Sequence, residues 1–264
     1  MKYKVGVCQF KPELFRMERN LETMESMLSN MQADLIVLPE LAASGYIFNS
    51  MEEVESVSES ANNGATARLF QKLAKLNDCS YVVGFAENDC GKFYNSSMLV
   101  NPNGEIFIYR KIHLFFEEKK WFSSGNLGFS VFKAKNGIKV GLMVCFDWIF
   151  PESVRTLTLN GAQIIAHSAN LVLPFCQQAM ITRSIENRIF SITANRTGLG
   201  KNGDKELLFT GQSQILTENG EIIKRLNETE NTVFITEINP EKADNKNITE
   251  WNNILTDRKT EFYS

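Results

Sequence analysis

Lys139-Val140-Gly141-Leu142-Met143-Val144-Cys145-Phe146-Asp147-Trp148-Ile149-Phe150-Pro151-Glu152 decides how the rest of the chain is read. Val140 to Val144 is a short, Val-rich apolar run, which suits a strand buried on both faces. Asn136-Gly137 just before it is a tight-turn signal. Pro151 fits the first turn of a helix, where its missing N–H is not needed. That helix runs on through Val154 and Leu157 and stops at Asn160-Gly161. Cys145 therefore stands where a buried strand ends and the chain turns sharply toward a helix. In open α/β sheets the carboxyl ends of strands are where ligands bind. A thiol there is held by a rigid element and can face a pocket. On this stretch alone Cys145 is either a nucleophile or a small buried hydrophobe.

Working outward, the 264 residues suit one large domain or two small ones, and 43% hydrophobic residues are enough for a proper core. The net charge is −3 with no long basic block. A nucleic-acid binder needs a concentrated positive face, so that class is excluded. No apolar run approaches a membrane span, and Met1-Lys2-Tyr3-Lys4-Val5 runs straight into a strand-like pattern. The expectation is a soluble, cytoplasmic protein without membrane partners. The five Cys (Cys8, Cys79, Cys90, Cys145, Cys176) are widely spaced and contain no C-x-x-C pair, which fits neither a disulfide framework nor a zinc site. The two His, His113 and His167, lie far apart, which argues against a metal site and against a Cys–His couple. If Cys145 is a nucleophile, its base is a carboxylate.

Before Cys145 the pattern alternates between strands and helices. Tyr3–Phe10 is a strand, Arg16–Met31 a helix and Asp34–Leu38 a buried strand that ends in Pro39-Glu40. Met51–Ser60 is a solvated helix or loop. Thr66–Leu76 is a helix with Leu69, Leu73 and Leu76 on one side. Ser80–Ala86, Phe93–Val100 and Glu105–Tyr109 are strands, the last two joined across Asn101-Pro102-Asn103-Gly104. After Cys145 come a strand at Ala162–Ala166, a helix at Gln177–Asn187, a strand at Ile189–Asn195 and a polar loop at Arg196–Lys205. A hairpin across Asn219-Gly220 and a strand at Thr232–Ile238 follow. Hairpins mix with strand–helix–strand units, so the sheets are expected to be mixed. The charged tail, with Phe262-Tyr263 at its end, suits packing on a partner or on the body of the protein.

Glu40, Lys111 and Cys145 each follow, or stand close to the end of, a strand. Glu40 is otherwise a carboxylate exposed in the loop Ala42–Tyr46, and Lys111 a surface Lys lying over aromatics. Together the three meet the demands of acyl transfer: base, oxyanion stabiliser and nucleophile. Around them stand Leu38-Pro39-Glu40 with Ser44-Gly45-Tyr46, then Arg110-Lys111-Ile112-His113-Leu114, Glu118 ahead of Phe122 and Gly125, and Val144-Cys145-Phe146-Asp147 with Pro151-Glu152. Arg183 with Glu186-Asn187-Arg188, Ala194-Asn195, and Asp257-Arg258-Lys259 ahead of Phe262-Tyr263 complete the set. In this order and spacing the chain resembles the carbon–nitrogen hydrolase family, also called the nitrilase superfamily, over nearly its whole length.

The resemblance implies an α/β fold: a four-layer α-β-β-α sandwich with mixed sheets, one domain over 1–264, assembled as a homodimer or higher homo-oligomer. It implies no organic cofactor and no metal. It makes Glu40 the base, Lys111 with the Phe146 backbone N–H the oxyanion holder, and Cys145 the nucleophile. Glu118 aligns with a second carboxylate that positions Lys111 and substrate; from the residues alone it is equally a solvated charge in the run Glu117–Lys120. An activated Cys145 is expected to react below the pH at which free thiols do. Tyr46, Phe116, Phe146, Trp148 and Asn170 are the expected substrate contacts, suited to a small, partly apolar substrate.

Fold does not choose among the amides, carbamoyl groups and nitriles that such a scaffold cleaves. Phe146-Asp147-Trp148 stands here in place of the Trp-Glu that follows the Cys in nitrilases, which favours an amide or carbamoyl substrate. A small aliphatic nitrile is the alternative, on the Cys-Phe-Asp-Trp segment and Asn170-Leu171-Val172-Leu173-Pro174. Two further readings are a non-catalytic binding protein on the same fold, which has no need of all three residues, and a papain-like hydrolase, which needs a His base in a pattern absent here.

Overall fold

The computed structural model describes Met1–Tyr263. In chain order the elements are β1 (Tyr3–Gln9), α1 (Met17–Leu28), β2 (Leu35–Val37), α2 (Met51–Val57), α3 (Ala65–Asn77), β3 (Ser80–Asp89), β4 (Lys92–Val100), β5 (Ile106–Arg110), α4 (Glu118–Trp121), β6 (Val131–Lys133) and β7 (Lys139–Val144). Then come α5 (Pro151–Leu159), β8 (Ile164–Ser168), α6 (Cys176–Asn187), β9 (Phe190–Ala194), β10 (Thr197–Asn202), β11 (Lys205–Thr210), β12 (Gln214–Leu216), β13 (Ile222–Arg225) and β14 (Thr232–Ile238).

Two six-stranded sheets run in the orders β14-β1-β2-β3-β4-β5 and β13-β12-β9-β8-β7-β6. Each has three parallel strands at its centre, β1-β2-β3 in one and β7-β8-β9 in the other, with antiparallel strands outside them. The sheets are mixed, as expected. Their inner faces meet in one core that joins Val5, Val7, Leu35 and Val82 to Leu142, Val144, Ile165 and Ile192. The outer face of the first sheet packs on α1 and α3 through Met24, Leu28, Phe70 and Leu73. Val154 and Leu157 of α5 and Met180 of α6 bury their apolar sides on the second. The layers are thus α-β-β-α, as the central strands required: apolar on both faces, they need a cover on each side.

Two local expectations change. On α3 the buried positions are Thr66, Ala67, Phe70, Leu73 and Ala74, whereas Leu76 faces solvent. The face turned inward is the one that Phe70 anchors, because an aromatic ring removes more apolar area from water than a Leu does. Arg196–Lys205, expected as a polar loop, contains β10 and leads into β11, and the two pair as a separate two-stranded ribbon. Leu199 and Leu208 point outward while Leu207 and the buried Phe209 point inward, so no apolar–polar alternation marks it in the sequence.

Candidate active site

Glu40, Lys111 and Cys145 come together where the strands end. Glu40 follows β2, Lys111 follows β5, and Cys145 opens a tight 3-10 turn directly after β7. The backbone bends sharply at two of these places: Leu41, next to Glu40, has φ +48° and Cys145 has φ +42°. Non-Gly residues hold such angles only where the surroundings fix them, and they gather at functional sites. Gly84 lets β3 pass close to this turn, since a Cβ there would collide with Glu40 Cα.

Glu40 and Lys111 are fully buried, Glu118 is 4% exposed and Cys145 5%. Lys111 Nζ donates to Glu40 Oε1 at 2.8 Å and to Glu118 Oε1 at 2.8 Å. Asn95 Nδ2 donates to Glu40 Oε1 at 2.6 Å, and Tyr46 OH to Glu118 Oε1 at 2.6 Å. Glu40 Oε2 is buried and has no hydrogen-bond partner among the described residues. So neither Glu40 nor Lys111 is the surface residue that local sequence also allowed, and Glu118 belongs to the array. Glu117 turns outward to Lys120 and Lys205.

The electrostatics follow from the burial of two carboxylates around one ammonium. Burial pushes Glu40 up, Lys111 pulls it back and Glu118 adds to the rise, leaving it at about 6. Burial disfavours the Lys111 cation, but Glu118 and Glu40 outweigh that and hold it well above the usual Lys range. Burial raises the Cys145 thiol well above its ordinary value; Glu40 adds to the rise and Lys111 opposes it. The resting sulfur is therefore held as a thiol, whose proton has to be taken up as it attacks. Burial is the largest cause, and Glu40 and Glu118 add to it against Lys111.

A second set of residues holds the turn that presents Cys145. Asp147, fully buried, accepts from Tyr109 OH (2.7 Å), Val144 N–H (2.9 Å) and His113 N–H (3.3 Å), with His113 Nδ1 at 2.8 Å. His167 Nε2–H donates to Cys145 O at 3.0 Å, and burial lowers its pKa to about 4, so it stays neutral. Cys145 Sγ lies 3.8 Å from Asn170 O, and Asn170 Nδ2 donates to Glu40 O at 2.9 Å. Asp147→Asn leaves some of these donors without an acceptor. It is expected to cost about 2–4 kcal/mol in a urea melt; a loss below about 0.5 kcal/mol would show that the network does not hold the turn.

A cavity of about 400 Å³ opens beside the array. Tyr46 and Phe116 line it, Phe116 at 74% exposure. Glu118 lies in its wall, with Trp121 and Lys205. Phe146, Trp148 and Asn170 are not in its lining, and neither are Glu40, Lys111 and Cys145. Phe146 packs between Phe115 and Phe150 (ring centroids 5.0 and 5.6 Å). Trp148 is drawn into the core, and Asn170 sits beneath Cys145 and Glu40. The 3-10 turn after Cys145 swings the following side chains away from the cavity. The β10–β11 ribbon supplies Asp204 to Leu207 to the wall instead. Asn95 and His167 were not singled out in the sequence, Asn95 standing beside Ser96-Ser97 and His167 within a buried strand, and Asp147 entered only as part of the segment after Cys145. Among the described residues no three His, Cys, Asp or Glu side chains gather as metal ligands would.

The family described as carbon-nitrogen hydrolase matches residues 4–246. A protein named nitrilase, from Pyrococcus abyssi, is 41% identical over 263 residues, covering 98% of each chain. An (R)-stereoselective amidase from a Pseudomonas species is 34% identical over 193 residues, covering 72% of this chain and 68% of that one. The crystal structure of a carbon-nitrogen hydrolase from Helicobacter pylori G27 superposes with a TM-score of 0.86 at 23% identity, covering 100% of this chain and 97% of that one, and shares its fold.

Proposed function

Because the chain belongs to the carbon–nitrogen hydrolase family, the nitrilase superfamily, we propose that this hydrolase cleaves a small, partly apolar primary amide or carbamoyl group through a thioester on Cys145. The observation that carries this reading is Glu40 Oε2, a buried carboxylate oxygen with no protein partner in a group whose other oxygen is pinned by Lys111 and Asn95. Such an oxygen is costly to leave unpaired unless it has a proton to take.

In the proposed reaction Glu40 Oε2 removes the Cys145 proton as the sulfur attacks the carbonyl carbon. Lys111 and the Phe146 backbone N–H hold the oxyanion. Lys111 suits that role because its charge persists at every working pH. As the C–N bond breaks, Glu40 returns the proton to the departing ammonia. Water then gives a proton to Glu40 and attacks the thioester, releasing the acid and restoring the thiol. Glu118 holds Lys111 between two carboxylates, and Tyr46 fixes Glu118 at the cavity wall.

A nitrile substrate is the second reading, favoured by the 41% identical relative named nitrilase. Attack would then give a thioimidate, to which one water adds with loss of ammonia, and the same thioester follows. Ammonia release across aliphatic amides, ω-amides of dicarboxylates, N-carbamoyl amines and dinitriles separates the two readings. Turnover of amides or carbamoyl compounds supports the first; turnover of nitriles alone replaces it with the second.

The pH profile has a fixed sign. Glu40 must be ionised to act as a base, so kcat/KM is expected to fall about tenfold per pH unit below about 6 and to level off above it. A flat profile down to pH 5 would contradict Glu40 as the base. The reading takes the protein as a single-domain, cytoplasmic enzyme. Its five cysteines are free thiols, and no helix among the described residues is long and apolar enough to cross a membrane. It also takes the protein as a homodimer, for which exposed Leu159 on α5, Ile185 on α6 and Phe175 between them supply apolar surface.

A further inference from the structure

Tyr46 also walls a second cavity, of about 240 Å³, whose lining carries Lys11, Arg16, Arg196 and Lys201 against the single carboxylate of Glu13. The chain as a whole carries a net charge of −3, so this local excess of positive charge is not the background. Glu13 is taken up by Arg19 at 3.0 Å, and Lys201 by Glu206 at 2.8 Å. Among the described residues Lys11, Arg16 and Arg196 have no ion-pair partner.

Arg196 is the informative member. It is 3% exposed and stands directly before β10, where its carbonyl accepts from Gly211 N–H. Its Nη2 donates to Pro12 O at 3.1 Å, and its guanidinium lies 4.1 Å from the centre of the Phe209 ring. Nε is buried with no partner. Burial without a counter-charge lowers its pKa to about 10. A desolvated guanidinium held by one carbonyl and an aromatic face is expensive. Lys11 and Arg16, both exposed, border the same space. A planar fork of N–H donors with two flexible cations beside it matches an oxyanion, which would satisfy donors and charge together.

We propose that this cavity binds a small oxyanion, a phosphate or a carboxylate, held by Arg196 together with Lys11 and Arg16. The site shares Tyr46 with the catalytic cavity but contains none of Glu40, Lys111, Glu118 or Cys145. It therefore stands or falls independently of the substrate.

Thermal unfolding of the full chain in sodium phosphate, and separately in sodium acetate, with ionic strength matched by sodium chloride, tests it. A saturating rise in Tm of about 3 °C or more is expected with at least one of the two. A rise with phosphate alone makes the ligand phosphate-like; a rise with acetate makes it a carboxylate. Arg196→Lys keeps a charge but loses the fork, and is expected to move the half-saturating concentration up about tenfold. If that variant fails to fold, Lys11→Gln/Arg16→Gln, which changes only exposed side chains, is expected to weaken binding by about the same factor. No saturating shift with either anion, or an unchanged half-saturation in the double variant, overturns the proposal.

Discussion

Cys145→Ala is expected to lower kcat by about ten thousand-fold to a million-fold on any substrate that the wild type turns over, as loss of a covalent nucleophile does. The expectation rests on position. β7 delivers Cys145 to the end of a buried strand, the backbone there has φ +42°, and the Asp147 and His167 hydrogen bonds fix the turn. None of those bonds uses the sulfur, whose one hydrogen-bond contact is the Asn170 carbonyl at 3.8 Å. The variant should therefore fold like the wild type and fail only in chemistry. Thermal unfolding and ammonia release on the same preparation check both halves. Retention of more than about 1% of wild-type turnover, far above what nucleophile loss leaves, would remove Cys145 from the mechanism.

Glu40→Gln is the second large effect, an expected loss of about a thousand-fold to ten thousand-fold, because Glu40 is asked to move a proton in both acylation and deacylation. The amide can still take the Asn95 and Lys111 hydrogen bonds through its oxygen, so the array should stay assembled. A second readout separates a base from a structural carboxylate. Glu40 is among the causes that raise the Cys145 thiol, so its neutralisation should let the thiol ionise more readily. Alkylation of Cys145 by iodoacetamide is then expected to set in at lower pH in the variant than in the wild type, while turnover falls. Turnover and alkylation that fall together would point to a collapsed site instead.

The sequence was most informative where one element alone decides the outcome. Val140–Val144 is the core of β7, Pro151 is the first residue of α5, and α5 ends at Leu159, ahead of Asn160-Gly161. Glu40, Lys111 and Cys145 were legible because Lys111 and Cys145 directly follow strands and Glu40 stands three residues beyond one, and strand ends converge when the sheets stack. What stayed hidden depends on neighbours in space. Asn95 reaches Glu40 only because β4 lies beside β5, where Lys111 N–H donates to the Asn95 carbonyl at 2.8 Å. Asp147 acquires its role from Tyr109 and His113, more than thirty residues away. Phe146 and Trp148 were expected at the substrate because they adjoin the nucleophile. A 3-10 turn rotates successive side chains by a third of a circle each, so adjacency along the chain did not become adjacency in the cavity. The β10–β11 ribbon has apolar residues on both faces, Leu199 and Leu208 outward and Leu207 and Phe209 inward, so it lacked the apolar–polar alternation that marks a strand.

Intact-mass spectrometry of the enzyme quenched during turnover tests most directly whether Cys145 carries the reaction. With an amide, a carbamoyl compound or a nitrile that releases ammonia, the account predicts an acyl or thioimidate adduct on the peptide containing Cys145. That adduct should disappear once substrate is consumed and be absent in Cys145→Ala. Turnover with no adduct on Cys145 at any quench time, together with a Cys145→Ala variant that still releases ammonia, would contradict it.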